Sequence, residues 1–415
     1  MPKLSDDDCW NLIKAYALAG PLAARVQEGC FEDIGRRIAA KCGGLPLAAK
    51  ALGGLLEGFP DSRRWEDIEN SRIWDLPPRR EEILAALVLS YNFLPPDLRM
   101  CFAYCSIFPK NYQVQKEKLL MLWMAEGLID PETSYKRVVG DCFDDLLARS
   151  FFQESTSNKH CFVMHDLIRE LAVHVMGEFG FMLEANTSSV SLAWPRHFTY
   201  LQCQYVPSDR FRCIADPEIS QALRKFLPVR SSSKELLYYL SSEMLQSLVP
   251  SFCHLRVLSL CGYNITSIPL SIGSLKHLHF LDYFSTLIEG LPDTLCSLYN
   301  LQTLLLSDCH QLKSLPNKIG NLVGMYHLNI HGTHRLEEIP YGIGKLSWLR
   351  MLNDFVVGKN RGPSNGELGG VKYLKGKLRI SGLENVVSEA DAAAAKLIEK
   401  SIWMGTRVIC CYWAD

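Results

Sequence analysis

The 415-residue chain is long enough for two or three domains, and its 48% hydrophobic and 21% charged residues are typical of a globular protein. A net charge of −1 and a pI of about 6.8 give no general reason to expect nucleic acid or an anionic membrane as a partner. The 15 cysteines are scattered without the spacing of a zinc site, which predicts free thiols in a reducing compartment. The N-terminus lacks a secretory h-region, and no run reaches the ~18 apolar residues of a spanning helix, so we expect a cytoplasmic protein.

Residues 1–80 are predicted to form a helical subdomain. A set of apolar residues recurs at helical spacing and predicts one buried face: Phe31, Ile34 and Ile38. Gly43 and Gly44 follow, and glycine accepts the left-handed conformation that commonly ends a helix. Pro46 then stands where the next helix should begin, because proline is tolerated in a first helical turn.

Residues 81–180 are predicted to form a winged-helix domain. The first part of this range contains several sets of apolar residues at helical spacing, which predict helices. Phe151–Gln153 and Cys161–Met164 are strand-like and are separated by a turn-rich segment, which is typical of a two-stranded wing. Asp166 is predicted to cap the helix that follows.

Four leucine-rich cycles lie between Leu255 and Pro340. Each follows the pattern Leu-x-x-Leu-x-Leu, with similar apolar residues at some positions, and ends in an apolar residue and a proline. The prolines step by 23, 24 and 24 residues: Pro269, Pro292, Pro316 and Pro340. This period is the leucine-rich-repeat signature, in which each cycle is one short strand plus a return segment. Such units stack into a solenoid, which predicts a recognition surface instead of a catalyst.

The domain boundaries follow from these patterns. The repeats are assigned to 251–385, with a glycine-rich loop insertion near 358–370. Residues 181–250 are assigned as a connector that leads into the repeats, and 386–415 as an irregular tail. The fold class is therefore multidomain α+β, with a helical subdomain and a winged-helix domain followed by a leucine-rich-repeat solenoid.

Strand alternation predicts which repeat residues face a partner. Leu258 and Leu260 should point inward, and the residues next to them in the strand should line the concave face. The same alternation applies to the other three cycles. Twelve residues are assigned to that face in this way: Val257, Ser259, Cys261, Phe280, Asp282, Phe284, Thr303, Leu305, Ser307, His327, Asn329 and His331. We expect this mixed patch either to bind a partner or to make an intramolecular contact.

Five segments resemble, in order, the motifs of the plant nucleotide-binding, leucine-rich-repeat disease resistance proteins. Cys42–Ala48 is similar to the GLPL motif and Met164–Asp166 to the MHD motif. The other three are Leu4–Trp10, Cys101–Pro109 and Leu122–Gly127. The order of the motifs, followed by repeats of the expected period, identifies the chain as similar to that family over roughly residues 4–385.

The resemblance implies a switch between ADP-bound and ATP-bound states, and it assigns five candidate cofactor-binding residues: Gly44, Leu45, Pro46, Leu47 and His165. By resemblance Pro46 packs on the adenine ring and His165 reaches the β-phosphate of ADP. Local structure offers a second interpretation of each. Pro46 is also a helix-start proline, and His165 is also a polar residue between a strand and a helix.

The family's phosphate-binding loop, Gly-x4-Gly-Lys-Thr/Ser, does not occur in the 415 residues. We therefore expect an N-terminally truncated member in which ADP or ATP binding is weak or lost. No catalytic motif is found either, so the chain is not predicted to be an enzyme.

Two functions stay open at this point. The first is a plant innate-immune receptor in defence, whose repeats recognise a pathogen effector or a guarded host protein and also contact the winged helix. The second is a repeat protein that binds partners without nucleotide. DNA binding is disfavoured, because residues 101–180 carry 8 Lys and Arg against 11 Asp and Glu.

Overall fold

The computed structural model divides the chain into two compact units, Met1–Gly180 and Phe181–Asp415. The residues described are 3–18, 29–57, 62–75, 85–130, 139–177, 180–183, 196–202, 214, 216–229, 238–358, 366–386, 388–397 and 407–410. No helix in these ranges is both long enough and apolar enough to cross a membrane.

The first unit begins with five helices around one apolar core. They are α1 (Asp6–Ala17), α2 (Gly29–Ala40), α3 (Pro46–Leu56), α4 (Ser62–Glu69) and α5 (Ala85–Asn92). The Ser5 side chain caps α1 by accepting a hydrogen bond from the Asp8 amide at 3.1 Å. Trp65 is fully buried, and its ring lies 4.9 Å from that of Phe31. The predicted apolar face of α2 is confirmed, since its three residues are all buried.

A second group of elements completes this unit. It comprises α6 (Pro96–Tyr104), β1 (Val114–Gln115), α7 (Lys116–Glu126), α8 (Val139–Ala148), β2 (Gln153–Glu154), β3 (Cys161–Val163) and α9 (Asp166–Met176). The three strands form an antiparallel sheet in which β3 is central, so the predicted hairpin is the outer part of a three-stranded wing. Phe102 and Phe151 pack with ring centroids 4.7 Å apart and join α6 to the wing.

The second unit is a solenoid built on one eight-stranded sheet, in which the last seven strands pair in parallel. The eight strands are β4 (Gly180–Leu183), β5 (His197–Leu201), β6 (Lys225–Val229), β7 (Val257–Ser259), β8 (Phe280–Asp282), β9 (Thr303–Leu305), β10 (His327–Asn329) and β11 (Met351–Leu352). Leucines pair in register along the sheet: Leu258, Leu281, Leu304, Leu328 and Leu352. Each is at most 1% exposed, so the leucine pattern identifies one continuous core.

The sheet extends further towards the N-terminus than the leucine pattern predicts. Residues 181–250 were expected to be a connector, but β5 and β6 lie within them and pair in parallel with the repeats. Phe198 pairs with Phe226, and Phe226 with Leu258. Aromatic residues therefore take the core positions that leucines occupy later, which hides these two strands from a leucine-based pattern.

The C-terminal part is also more regular than predicted. A second sheet contains β12 (Asp354–Val356), β13 (Lys377–Ser381) and β14 (Arg407–Cys410), all parallel. The expected tail at 386–415 thus supplies a helix, α13 (Glu389–Ala394), and the strand β14. The expected loop insertion ends in a short helix, α12 (Gly366–Gly370), and its residues 359–365 lie outside the described ranges.

Two more helices lie between the early strands, α10 (Pro217–Ala222) and α11 (Ser242–Leu248). Short 3-10 helices return the chain on the convex side of the later repeats: Leu270–Ser274, Asp293–Ser297, Ile319–Asn321 and Ile343–Lys345. Glycine at the same position of several of them brings neighbouring repeats close together. At Gly320, an added Cβ would meet the carbonyl group of Gly342 in the next repeat, with its carbon atom at 2.9 Å.

Candidate functional site

The turn before α3 contains four of the five candidate cofactor-binding residues. Gly43 and Gly44 have φ values of 59° and 76°, so the predicted glycine stop is confirmed. Pro46 is the first residue of α3, as predicted, and Leu45 caps the helix without a side-chain hydrogen bond. The Leu45 side chain therefore accepts no hydrogen bond from the first backbone amides of α3. A helix N-terminus with such amides favours a negatively charged group.

These four residues differ in how accessible they are. The Leu45 and Pro46 side chains are half-buried, whereas Gly44 and Leu47 are buried. The Leu4 amide donates to the Gly44 carbonyl oxygen at 2.8 Å, which fixes the turn against the N-terminal segment. Leu47, at 8% exposure, lies within the fold, so only Leu45 and Pro46 present side-chain surface at this turn.

His165 caps helix α9. It has extended backbone angles, φ −61° and ψ 146°, and its Nδ1 accepts a hydrogen bond from the Leu167 amide at 3.2 Å. The prediction that Asp166 is the cap was wrong, because Asp166 is the first residue inside the helix. Nδ1 of histidine is as far from the backbone as the side-chain oxygen of asparagine or aspartate, which lets it act as the capping acceptor. Asp166 adds an acidic group in the first turn, where the helix dipole favours it.

The cap also determines the tautomer of His165. An Nδ1 that accepts a hydrogen bond carries no proton, so the neutral ring has its proton on Nε2. The side chain is exposed, and this Nε2–H is a donor on the surface of the unit. Arg169, one turn further along α9, donates from Nε to the Phe108 carbonyl oxygen at 2.7 Å and ties the helix to the Phe108-Pro109 turn.

We predict that His165→Ala lowers the free energy of unfolding of the first unit by about 1 kcal/mol, because an N-cap acceptor is lost. His165→Asn should have nearly the stability of the unmodified chain, since asparagine is among the best N-cap residues. Urea unfolding of the three proteins measures both effects. Equal destabilisation by alanine and asparagine would show that the capping bond contributes nothing.

The two parts of the candidate site lie in the same unit but on different elements. Helix α5 packs against α3, which follows Pro46, and against α9, which follows His165. Ala86 and Leu89 of α5 are buried in the core of the first helices. Among the described residues, no hydrogen bond joins His165 to the turn at Gly44–Leu47, and α5 connects them by packing against both helices.

The concave face of the repeats is far less accessible than the alternation pattern predicts. Nine of the twelve assigned residues are buried: Val257, Ser259, Cys261, Phe280, Asp282, Thr303, Leu305, Ser307 and His327. Only His331 is exposed, and Phe284 and Asn329 are half-buried. Neighbouring strands lie ~4.8 Å apart, so side chains at the same register position pack against those of the repeats on either side.

The buried polar residues of this face are paired between repeats. Ser259 Oγ donates to Asp282 Oδ2 at 3.0 Å, and the other oxygen of Asp282 accepts from the Phe284 amide at 2.9 Å. Thr303 Oγ1 lies 3.0 Å from Nδ1 of His327. Burial, with the nearby charge of Arg350 adding to it, lowers the pKa of His327 to about 3. These groups hold successive repeats together and are not free to bind a partner.

The exposed apolar residues of the repeats lie elsewhere, and sequence reasoning missed them. They precede the strands or occupy the convex turns: Leu270, Tyr299, Val323, Tyr341, Trp348 and Tyr373. In the sequence each stands either one or two residues before the first apolar residue of a cycle or directly after a closing proline, and a large apolar residue at these positions is the available signal.

The fold and the candidate site define a protein with a helical and winged-helix unit, followed in the sequence by a leucine-rich-repeat solenoid. Residues 107–172 match the winged helix domain of disease resistance proteins, and residues 233–399 match a leucine-rich repeat region. The chain is homologous over most of its length to plant disease resistance proteins, as its relatives show.

Three of those relatives align with 96% of the chain. A disease resistance protein of Arabidopsis thaliana is 43% identical over 403 residues, and RPP13-like protein 1 of the same plant is 42% identical over 405 residues. The disease resistance protein RGA2 of Solanum bulbocastanum is 39% identical over 404 residues. The chain spans 28%, 37% and 38% of the lengths of these proteins, respectively, or about a third.

Proposed function

We propose that this chain is the nucleotide-contacting and recognition part of a plant innate-immune receptor that acts in the defence response in the cytoplasm. In this role the first unit contacts ADP, and the repeats bind proteins. The chain acts as a switch and a recognition module instead of an enzyme.

One observation carries the nucleotide part of the proposal, namely the fixed tautomer of His165. An imidazole whose Nδ1 accepts the Leu167 amide has Nε2–H as its free donor, and such a donor suits a phosphate oxygen. The uncapped N-terminus of α3 supplies a second region that favours an anion, and Pro46 supplies an apolar surface beside it. These are the features that a diphosphate and a purine ring require.

The repeats supply the recognition part. Their partner in this proposal is a pathogen effector or a guarded host protein, and a contact between the repeats and the winged helix restrains the resting protein. Exposed Tyr and Trp side chains on the solenoid support protein binding, because these residue types dominate protein–protein interfaces.

Titration with ADP tests the nucleotide role. We predict a weak but saturable, magnesium-dependent response in calorimetry or thermal shift for the unmodified chain, and no response for His165→Asn. The asparagine variant is the informative one, because it keeps a capping acceptor but lacks the imidazole donor. A flat titration of the unmodified chain, or full binding by His165→Asn, would overturn this role.

A second candidate function is a repeat protein that binds partners without nucleotide. The exposed Tyr and Trp side chains of the solenoid favour it, because they suit a protein interface that needs no nucleotide. The same ADP titration separates the two functions. The nucleotide-independent function requires a flat response to ADP together with retained protein binding.

A further inference from the structure

The segments that enter the repeat strands have an unusual composition. Because the strands are parallel, these segments line one edge of the sheet, and the segments that leave the strands line the other. We call the first edge the aromatic edge and define it by six segments: 253–257, 276–280, 299–303, 323–327, 347–351 and 371–375. The first five enter strands β7 to β11. The sixth enters β13 of the second sheet and is joined to the fifth by a 2.7 Å hydrogen bond from the Lys375 amide to the Arg350 carbonyl oxygen. The six segments contain five Lys and Arg, five aromatic residues and no Asp or Glu. The whole chain, in contrast, has a net charge of −1.

The aromatic side chains form a connected run at the C-terminal half of this edge. The rings of Tyr326 and Trp348 lie 6.5 Å apart, and those of Trp348 and Tyr373 stack at 5.7 Å with an interplanar angle of 17°. Arg350 lies over the Tyr373 ring at 5.5 Å. Further along the edge, Lys276 lies 5.9 Å over Tyr299. The run is therefore ordered by its own contacts and needs no rearrangement to present its surface.

Much of this run is accessible. Tyr299 and Val323 are 62% and 55% exposed, and Trp348 and Tyr373 are each 38% exposed. Lys372 and Lys375 are exposed beside Tyr373, and among the described residues neither forms a salt bridge. Apolar surface next to uncompensated positive charge is suited to a partner that offers the opposite charge.

The other edge of the sheet is different. Its segments 285–289, 308–313 and 332–338 contain four acidic and two basic residues. Lys313 forms a 2.6 Å ion pair with Glu289 of the preceding repeat, and Arg335 donates to Gln311 at 2.5 Å. This edge therefore has an excess of two acidic residues, whereas the aromatic edge has only basic ones, so the two edges differ in the sign of their charge.

We propose that the aromatic edge is a docking surface for an acidic segment of a partner protein that also carries apolar side chains. The inference rests on the proposed role of the repeats in protein recognition, and it names the surface and the chemistry of the partner. Acidic side chains would pair with Lys372, Lys375 and Lys276, and apolar ones would cover Tyr299, Val323 and Trp348.

The ring geometry favours a protein over a single-stranded nucleic acid, which would also suit basic and aromatic residues. Bases bind by stacking on free aromatic faces. Here Trp348 and Tyr373 stack on each other, and Arg350 lies over Tyr373. These two rings therefore each have a face already occupied within the protein, which leaves less free aromatic surface for bases than a row of unstacked rings would offer.

Fluorescence anisotropy of the full chain with a labelled peptide tests the proposal. The edge from Lys276 to Lys372 spans five repeats at ~4.8 Å each, so an extended peptide of about eight residues covers it. The probe alternates Glu and Leu. Matched probes replace Glu by Lys, or Leu by Ser, and an oligothymidylate of similar length represents nucleic acid.

We predict that the Glu-Leu peptide binds, that both matched peptides bind more weakly, and that binding falls as salt is raised. The double variant Lys372→Glu, Lys375→Glu should weaken binding about tenfold, and Trp348→Ala should do so to a similar extent. The control is Lys313→Glu, Arg335→Glu, which makes the same change of charge on the other edge and should leave the affinity within about twofold. Thermal unfolding establishes that each variant is folded.

Three results would overturn the proposal. They are no saturable binding of the Glu-Leu peptide, an equal loss in the control variant, or tighter binding of the oligothymidylate than of the peptide. The ADP titration of the same preparation is independent of this edge. A chain that binds ADP but not the peptide would therefore contradict the docking surface alone.

Discussion

Gly320→Val is expected to lower the free energy of unfolding of the repeat unit by roughly 3 kcal/mol. The new Cβ would overlap the carbonyl group of Gly342 in the next repeat, and its contact atoms belong to backbone that cannot rotate away. The same close approach recurs at Gly273 and Gly344, where an added Cβ would lie 2.6 Å from the Thr294 oxygen and 2.7 Å from the Glu367 oxygen. Hydrogen exchange of the strand amides, with urea unfolding, measures the loss and locates it.

Gly290→Val is the matched control for this substitution. An added Cβ at Gly290 meets no atom within 4 Å, so valine there should change stability by less than about 0.5 kcal/mol. Stacked repeats transmit local damage mainly to their neighbours. We therefore expect Gly320→Val to reduce exchange protection most in β9, β10 and β11. Uniform loss across the whole chain, or no loss at all, would contradict the close-packing explanation.

The sequence predicts the later repeats well because one physical rule governs them. Leucines at a fixed period make a continuous core, and the structure places Leu258, Leu281 and Leu304 in register. The rule fails for β5 and β6, where Phe198 and Phe226 occupy the equivalent positions and the spacing to Leu258 becomes irregular. A pattern that admits aromatic residues at the core positions finds these strands.

Solvent exposure was harder to predict than side-chain direction. Alternation gives the side of a strand on which a residue lies, but not what packs on that side. Ser259 and Asp282 are polar yet fully buried, since each completes a hydrogen bond across two repeats. Such pairing depends on register between strands that are 23 residues apart, which a single cycle does not contain.

The candidate nucleotide site shows the same division between local and longer-range information. The glycine stop and Pro46 follow from local backbone preferences, and both predictions were confirmed. The role of His165 as a helix cap did not follow, because aspartate is the commoner capping residue and Asp166 stood next to it. Only the structure shows which of the two side chains accepts the Leu167 amide.

His327→Gln is expected to remove a large part of the acid sensitivity of the repeat unit. An imidazole in the unfolded chain has a pKa near 6.5, whereas burial, with the nearby Arg350 charge, lowers the folded pKa of His327 to about 3. Between these two values the unfolded state binds a proton that the folded state does not. The contribution of His327 to stability is therefore present above pH ~6.5 and is lost as the pH falls towards the folded pKa.

Between pH 7 and pH 5 this one group should lower the free energy of unfolding of the repeat unit by about 2 kcal/mol. Glutamine is uncharged at both pH values and keeps a side-chain hydrogen-bonding group beside Thr303, so the variant should lose far less on acidification. Urea unfolding of the two proteins at both pH values measures the difference. Thr303→Val is the control, because it removes the same inter-repeat hydrogen bond but leaves the imidazole, so that variant should keep the acid sensitivity of the unmodified chain. If His327→Gln and the unmodified chain lost equal stability at pH 5, a proton taken up by some other group would account for the acid sensitivity.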